Sequence, residues 1–359
     1  MGSREPFCPD CERESSEVGR REFLRLASIG AAGIAAAGAT GAPGSRLLSA
    51  PAEATPTGTA PESSVKELFD LLTPAQRKVV CFDWNHVDPK RGLLRSRVSN
   101  NWQITEPSIH SDFYTPQQQR LVRSIFEGIV NPEWHARIDK QLKDDTGGKP
   151  FGGDQSLAIF GKPGDAKFEF VMTGRHMTMR CDGNSTEHVA FGGPLFYGHA
   201  ASGFDEKPGH PGNVFWEQAL ATNKVYEMLD GKQRAIAEVA KSPQESSIAF
   251  RGLAGKFDGL PIAELSGDQK GLVQEVLRKL LEPYRQSDRD EVAQCLTKQG
   301  GLDKCHLAFY TDQDLGGDKV WDNWRLEGPA FVWYFRGVPH VHVWVNIAND
   351  PAVKTNAVG

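Results

Sequence analysis

Apolar and polar residues alternate along Pro339-His340-Val341-His342-Val343-Trp344-Val345-Asn346, with valine in every second place, which predicts a β-strand over His340–Ile347. Strand-like blocks also occupy Ser156–Gly161, Phe168–Cys181, His188–Tyr197, Leu307–Thr311, Trp321–Leu326 and Ala330–Arg336. The first two read as a hairpin closed by the turn Pro163-Gly164-Asp165. Between the strands, one local phrase recurs. It is Leu72-Thr73-Pro74-Ala75-Gln76, Tyr114-Thr115-Pro116-Gln117-Gln118, Leu229-Asp230-Gly231-Lys232-Gln233 and Leu265-Ser266-Gly267-Asp268-Gln269. A Thr, Asp or Ser with Gln three residues later is a capping box, and the apolar residue before it a staple. The irregular spacing of the four phrases argues for local capping rather than an internal repeat. Helices are therefore expected to begin near 63, 73, 115, 132, 214, 230, 266 and 288. Helical and strand blocks do not alternate regularly. The expected fold class is α+β, a mainly antiparallel sheet flanked by helices, in a single large domain over residues 63–359.

The N-terminus carries a different signal. Gly19-Arg20-Arg21-Glu22-Phe23-Leu24 is a twin-arginine pattern, followed by an apolar run from Leu26 to about Ala39. That run is too short and too Gly-rich for a durable membrane span. Small-residue cleavage sites follow at Ala50-Pro51-Ala52 and Ala52-Glu53-Ala54. Residues 1–54 thus read as a twin-arginine (Tat) signal peptide and Pro/Thr/Ala-rich residues 55–62 as a linker. The expected location is periplasmic or secreted, with the Tat export machinery as a partner. Tat substrates cross the membrane folded, which suits a metal loaded in the cytoplasm. Cys8 and Cys11 form a CxxC pair inside the removed segment and receive no role. No second apolar run reaches spanning length, so no stable span is expected in the mature form. The net charge is −5 with no Lys/Arg cluster, which argues against nucleic acid. In an oxidising compartment Cys295 and Cys305, flanking Gly300-Gly301, are the best disulfide candidates, with Cys81 and Cys181 as thiols or a second bridge.

Alternation puts His340 and His342 on one face of a strand, about 6.5–7 Å apart at Cα, close enough for two imidazoles to converge on one ion. If Phe168–Cys181 is one regular strand, His176 shares a face with Phe170, Met172 and Gly174, while Arg175, Met177 and Met179 face away. His176 is a candidate third ligand, and His199, after Pro194-Leu195-Phe196-Tyr197-Gly198, a candidate fourth. Three or four neutral imidazoles suit a transition metal such as Cu, Zn or Fe. A lone strand histidine is more often a hydrogen-bonded core residue, and the methionines and tryptophans read first as core. Gly316-Gly317-Asp318 lacks a Walker lysine and no Gly-x-Ser-x-Gly elbow occurs, so no nucleotide cofactor and no serine hydrolase of that type is expected.

The order Gly174-Arg175-His176-Met177-Thr178-Met179, Pro194–Gly198, Leu229–Arg234, Gly259–Leu265 running into Gln269, and His340-Val341-His342 resembles a bacterial family of unknown function, DUF3500, from about Leu72 to Pro351. The resemblance implies that His176, His340 and His342 occupy matching family positions. It also marks two departures: Arg175 stands where many members carry a further His, and a Glu typical of the strand before His-x-His is missing around Val332-Trp333-Tyr334. The resulting expectation is an exported metal-dependent enzyme, redox or hydrolytic, acting on a small molecule, with Arg175 or Asn346 orienting substrate. The alternatives are a non-catalytic periplasmic small-molecule-binding protein and a purely structural role for the histidines.

Overall fold

The computed structural model describes residues 60–182, 188–199, 212–312, 314, 319–338 and 340–357. The expected signal peptide, most of the linker, His210 and the Gly316-Gly317-Asp318 turn lie outside the described residues. Eight α-helices are formed among the described residues: α1 Pro61–Leu71, α2 Pro74–Val80, α3 Pro116–Ile129, α4 His135–Asp145, α5 Trp216–Glu227, α6 Gly231–Ala237, α7 Gly267–Leu281 and α8 Gln286–Lys298. The first therefore starts inside the expected linker. Helices α2, α3, α6 and α7 all begin at complete capping boxes, at Thr73, Thr115, Asp230 and Ser266, as their sequence phrases require.

The strands are β1 Cys81–Phe82, β2 Val87–Asp88, β3 Gly92–Leu93, β4 Ser156–Gly161, β5 Phe168–Gly174, β6 Met177–Cys181, β7 Leu195–His199, β8 Glu238–Val239, β9 Leu260–Pro261, β10 His306–Tyr310, β11 Asn323–Gly328, β12 Phe331–Arg336 and β13 Val341–Ile347. All but the β2–β3 hairpin join one eleven-stranded sheet in the order β1-β4-β5-β6-β7-β13-β12-β11-β10-β8, with β9 on β10. The pairings are antiparallel except β1–β4 and β8–β10, so the sheet is mixed and mostly antiparallel in an α+β fold. The valines Val341, Val343 and Val345 face the large core shared with the helices, together with Trp333 and Phe335. Trp344 turns to the other face, where Phe196, Tyr310, Val332 and Tyr334 form a smaller apolar cluster.

That strand order reads the same from either end. Two helices, a short strand, two more helices and four sheet strands run from α1 to β7, and the same series runs from α5 to β13. In each series the short strand (β1, β8) adds in parallel beside the first long strand (β4, β10). The helix packings α1 on α3 and α5 on α7 also correspond. The capping glutamines correspond too: Gln76 and Gln118 exchange two amide hydrogen bonds, and Gln233 and Gln269 exchange two more. The capping phrases thus mark equivalent positions in an internal repeat, which their spacing disguises because the loops between them differ in length. The halves meet where β7 pairs antiparallel with β13, and again where Val130, after α3, bridges Tyr284, after α7.

Three further sequence expectations are corrected. The Phe168–Cys181 block is two strands, because the chain reverses at Arg175-His176 and Gly174 pairs with Met177. In His188–Tyr197 the strand begins only at Leu195, since Ala190–Gly192 forms a 3-10 turn with Phe191 at φ +61°. Cys295 and Cys305 are free thiols, as are Cys81 and Cys181. The Cys305 sulfur packs over Gly328, while Cys295 lies on α8 against the Ala190 backbone, so the two point to different neighbours. Burial pushes each of these two thiols up to about 12.

Gln118 is buried, accepts the Thr115 N–H, and donates to the Leu71 carbonyl and to Gln76. Gln118→Ala should therefore cost about 2–3 kcal/mol of unfolding free energy in denaturant titration. Adding Gln76→Ala should cost at least about 1 kcal/mol less than in the wild-type background. Strict additivity would contradict the paired-cap description.

Candidate functional site

Three buried imidazoles converge at one end of the sheet. His340 lies in the bend before β13 and His342 is the second residue of β13, with their Nε2 atoms 2.9 Å apart. His176 arrives from the two-residue turn between β5 and β6, and its Nε2 is 3.2 Å from that of His342. At one ligand atom per residue, the three lie within 4.8 Å of one another.

The local chain is shaped for this approach. His176 holds φ +52°, a left-handed conformation uncommon for a residue with a side chain. Its N–H is fixed by the Asn100 carbonyl at 3.1 Å and by Asn101 Oδ1 at 3.2 Å. On β7, Gly198 pairs with His342, and a Cβ there would run into the Val341 carbonyl and crowd the His176 ring. Gly198 thus lets two backbones and an imidazole share one place.

The outward ring nitrogens are held by carboxylates. His176 Nδ1 is 2.7 Å from Asp145 Oδ2, at the end of α4, and Gln141 Nε2 donates to that same oxygen. His342 Nδ1 is 2.8 Å from Glu245 Oε2, which also accepts the Trp344 indole N–H. Arg336, opposite His342 on β12, donates to Glu245 Oε1 at 3.0 Å and lies 2.6 Å from His342 Nδ1. Arginine only donates, so Arg336 and Glu245 compete for that nitrogen, and a proton on Nδ1 selects Glu245. Carboxylates on Nδ1 leave Nε2 as a lone pair, the form that ligates a metal.

Burial is the main cause that pushes His340 down to about 2, with the neighbouring His176 and Arg336 adding to it. Burial and then Arg336 likewise hold His342 well below the usual imidazole range. Both are neutral at physiological pH. Burial opposes ionisation of Asp145, but His176 and then His199 outweigh it and keep the carboxyl well below its ordinary value.

A ring nitrogen carries one lone pair or one proton, so His342 Nε2 can make a hydrogen bond to His340 or to His176 but not to both. A single transition-metal ion could take up all three lone pairs.

His199 is not among the three converging ligands. Its Nδ1 faces the second oxygen of Asp145 at 3.1 Å, so it supports the carboxylate that orients His176. Asn346 is also displaced from its expected role. It is buried four residues along β13 from His342, about 13 Å away by strand rise, and binds the Ile248 carbonyl and Thr355. Arg175 does stand beside the site, on the same turn as His176, and its charge bears on His340 and His342. Asp145, Glu245 and Arg336 were not picked out from sequence. The carboxylate that holds His342 comes from a loop, as Glu245.

A family model for proteins of unknown function, DUF3500, matches residues 57–348, which include every residue of this site. The chain belongs to the DUF3500 family. No curated protein and no solved structure matches it. Within this DUF3500 chain the repeat supplies an internal comparison. The turn equivalent to Gly174-Arg175-His176-Met177 is Gly328-Pro329-Ala330-Phe331. There the end of α8 supplies Gln299 where α4 supplies Asp145, and Gln299 bonds the Ala330 backbone at 2.7 and 3.1 Å. Val189, Ala330 and Ala348 fill that place with apolar groups. The hairpin therefore forms without histidine, arginine or aspartate.

Glu245→Gln, which weakens the acceptor on His342, should lower zinc affinity about 10–100-fold in chelator competition, while Asn346→Ala leaves it unchanged. Equal effects from the two changes would remove Glu245 from the site.

Proposed function

We propose that this protein is an exported metalloenzyme in which His176, His340 and His342 hold one transition-metal ion and leave coordination positions open to a small-molecule substrate. The observation that carries this reading is the double Nε2 contact of His342, which hydrogen bonding satisfies only once and an ion satisfies fully. The repeat supports it, because the equivalent turn folds with Pro329 and Ala330.

Three imidazoles with open positions suit zinc, copper or iron. Bound there, the ion would supply a Lewis acid toward water or dioxygen. The residues around it would keep the ligands in order. Asp145 and Glu245 fix the ring orientations, Arg336 balances Glu245, and His199 shares the Asp145 carboxylate. The twin-arginine segment at Arg20-Arg21 supports export to the periplasm or beyond in a folded, metal-loaded state. Among the described residues no helix is long and apolar enough to cross a membrane.

Elemental analysis of the full chain folded in the cytoplasm should find about one equivalent of a single transition metal, lost in His342→Ala. Less than about a tenth of an equivalent, unchanged by that substitution, would overturn the proposal. Chelation should also lower the thermal midpoint of the wild type by more than that of His342→Ala, since a ligand that binds only the folded chain stabilises it.

A further inference from the structure

Among the described residues, Arg175 is the cation beside this site whose guanidinium has no fixed partner. Arg336 is committed to Glu245, and Arg95 and Arg180 both bind Glu169. The Arg175 backbone N–H binds Asp154, but among the described residues its guanidinium forms no ion pair and no hydrogen bond, and its Nε is buried. Seven arginine Nε atoms are buried without a partner among the described residues, but the other six guanidiniums are held through their terminal nitrogens, so Arg175 alone needs a role to account for it. The fold supplies none, since the equivalent residue of the second half is Pro329. Arg175 shares its turn with His176 and acts electrostatically on both His340 and His342.

The charges give the sign of the missing partner. An ion held by the three imidazoles and the Arg175 guanidinium would both be cationic, so a ligand shared between them is an anion. A guanidinium presents a planar fork that matches a carboxylate in a bidentate pair. One such fork neutralises a monoanion, whereas a phosphate dianion ordinarily draws on several donors. We propose that Arg175 anchors the carboxylate of a small organic acid beside the ion held by His176, His340 and His342. This rests on the metalloenzyme reading and names the substrate class of that site. The rest of the acid then lies at the open coordination positions, with Arg175 setting its orientation.

The test uses the full-length protein loaded with cobalt(II), whose visible spectrum reports changes at the ion, titrated separately with acetate and with inorganic phosphate. Acetate should perturb the spectrum of the wild type. Arg175→Ala should weaken acetate binding about tenfold or more at unchanged cobalt stoichiometry, and Arg175→Lys should recover part of the loss. Cobalt-loaded Arg175→Ala that binds acetate as tightly as the wild type, or a wild type that does not respond to acetate, overturns the anchor alone. Phosphate binding that is tighter than acetate and equally dependent on Arg175 overturns the carboxylate assignment. A wild type that takes up no cobalt overturns the metal reading and the anchor with it.

Discussion

The antiparallel pairing of β7 with β13 is the constraint on which the rest of the molecule depends. It joins the two repeats at the middle of the sheet and fixes which residue of one faces which of the other. Strand register is all-or-none, because a slip of one residue turns every side chain to the opposite face. Here the register sets Gly198 against His342 and leaves Val341, Val343 and Val345 in the helix-covered core. Other pairings across the joint would place a side chain at the close approach, or turn His342 into the apolar layer. The alternation of valine with histidine, tryptophan and asparagine in β13 therefore specifies the sheet centre and the site together.

How much of this was legible in the sequence depends on the range of the interaction involved. Capping boxes are contacts over three residues, and all four were readable from Thr73, Thr115, Asp230 and Ser266. The His340/His342 pair follows from a period of two and was readable as well, although His340 lies just before the strand proper. The reversal at Arg175-His176 was not. It interrupts an apolar run without the Asn-Gly or Gly-Gly pair that ordinarily marks a two-residue turn. Reading straight through it gave His176 a strand face in place of its left-handed turn. Asp145 and Glu245 lie 31 and 97 residues from their imidazoles, and nothing local distinguishes either from a solvated carboxylate. Asn346 erred in the opposite sense, because sharing a face with His342 does not make it near.

The repeat separates what the fold requires from what the site requires. Both halves build the same helix pairs, the same short parallel strand and the same four-strand sheet. Only one half places Asp145 against His176, where the other sets Gln299 against the backbone of Ala330. A neutral amide that satisfies both the N–H and the C=O of a turn is an economical structural solution. A buried carboxylate holding a buried imidazole is a costlier one, and it stands at the end of the sheet where the other two histidines converge.

The three imidazoles do not belong to one repeat. His176 and Asp145 come from the first, and His340, His342, Glu245 and Arg336 from the second. An ion bound among them would act as a rivet across the seam, adding its binding free energy to the cohesion of the two halves. Neither half could capture it alone, so a filled site would report that the whole chain had assembled in the right register. Metal occupancy in such an architecture would be a proofreading mark on folding as well as a chemical resource.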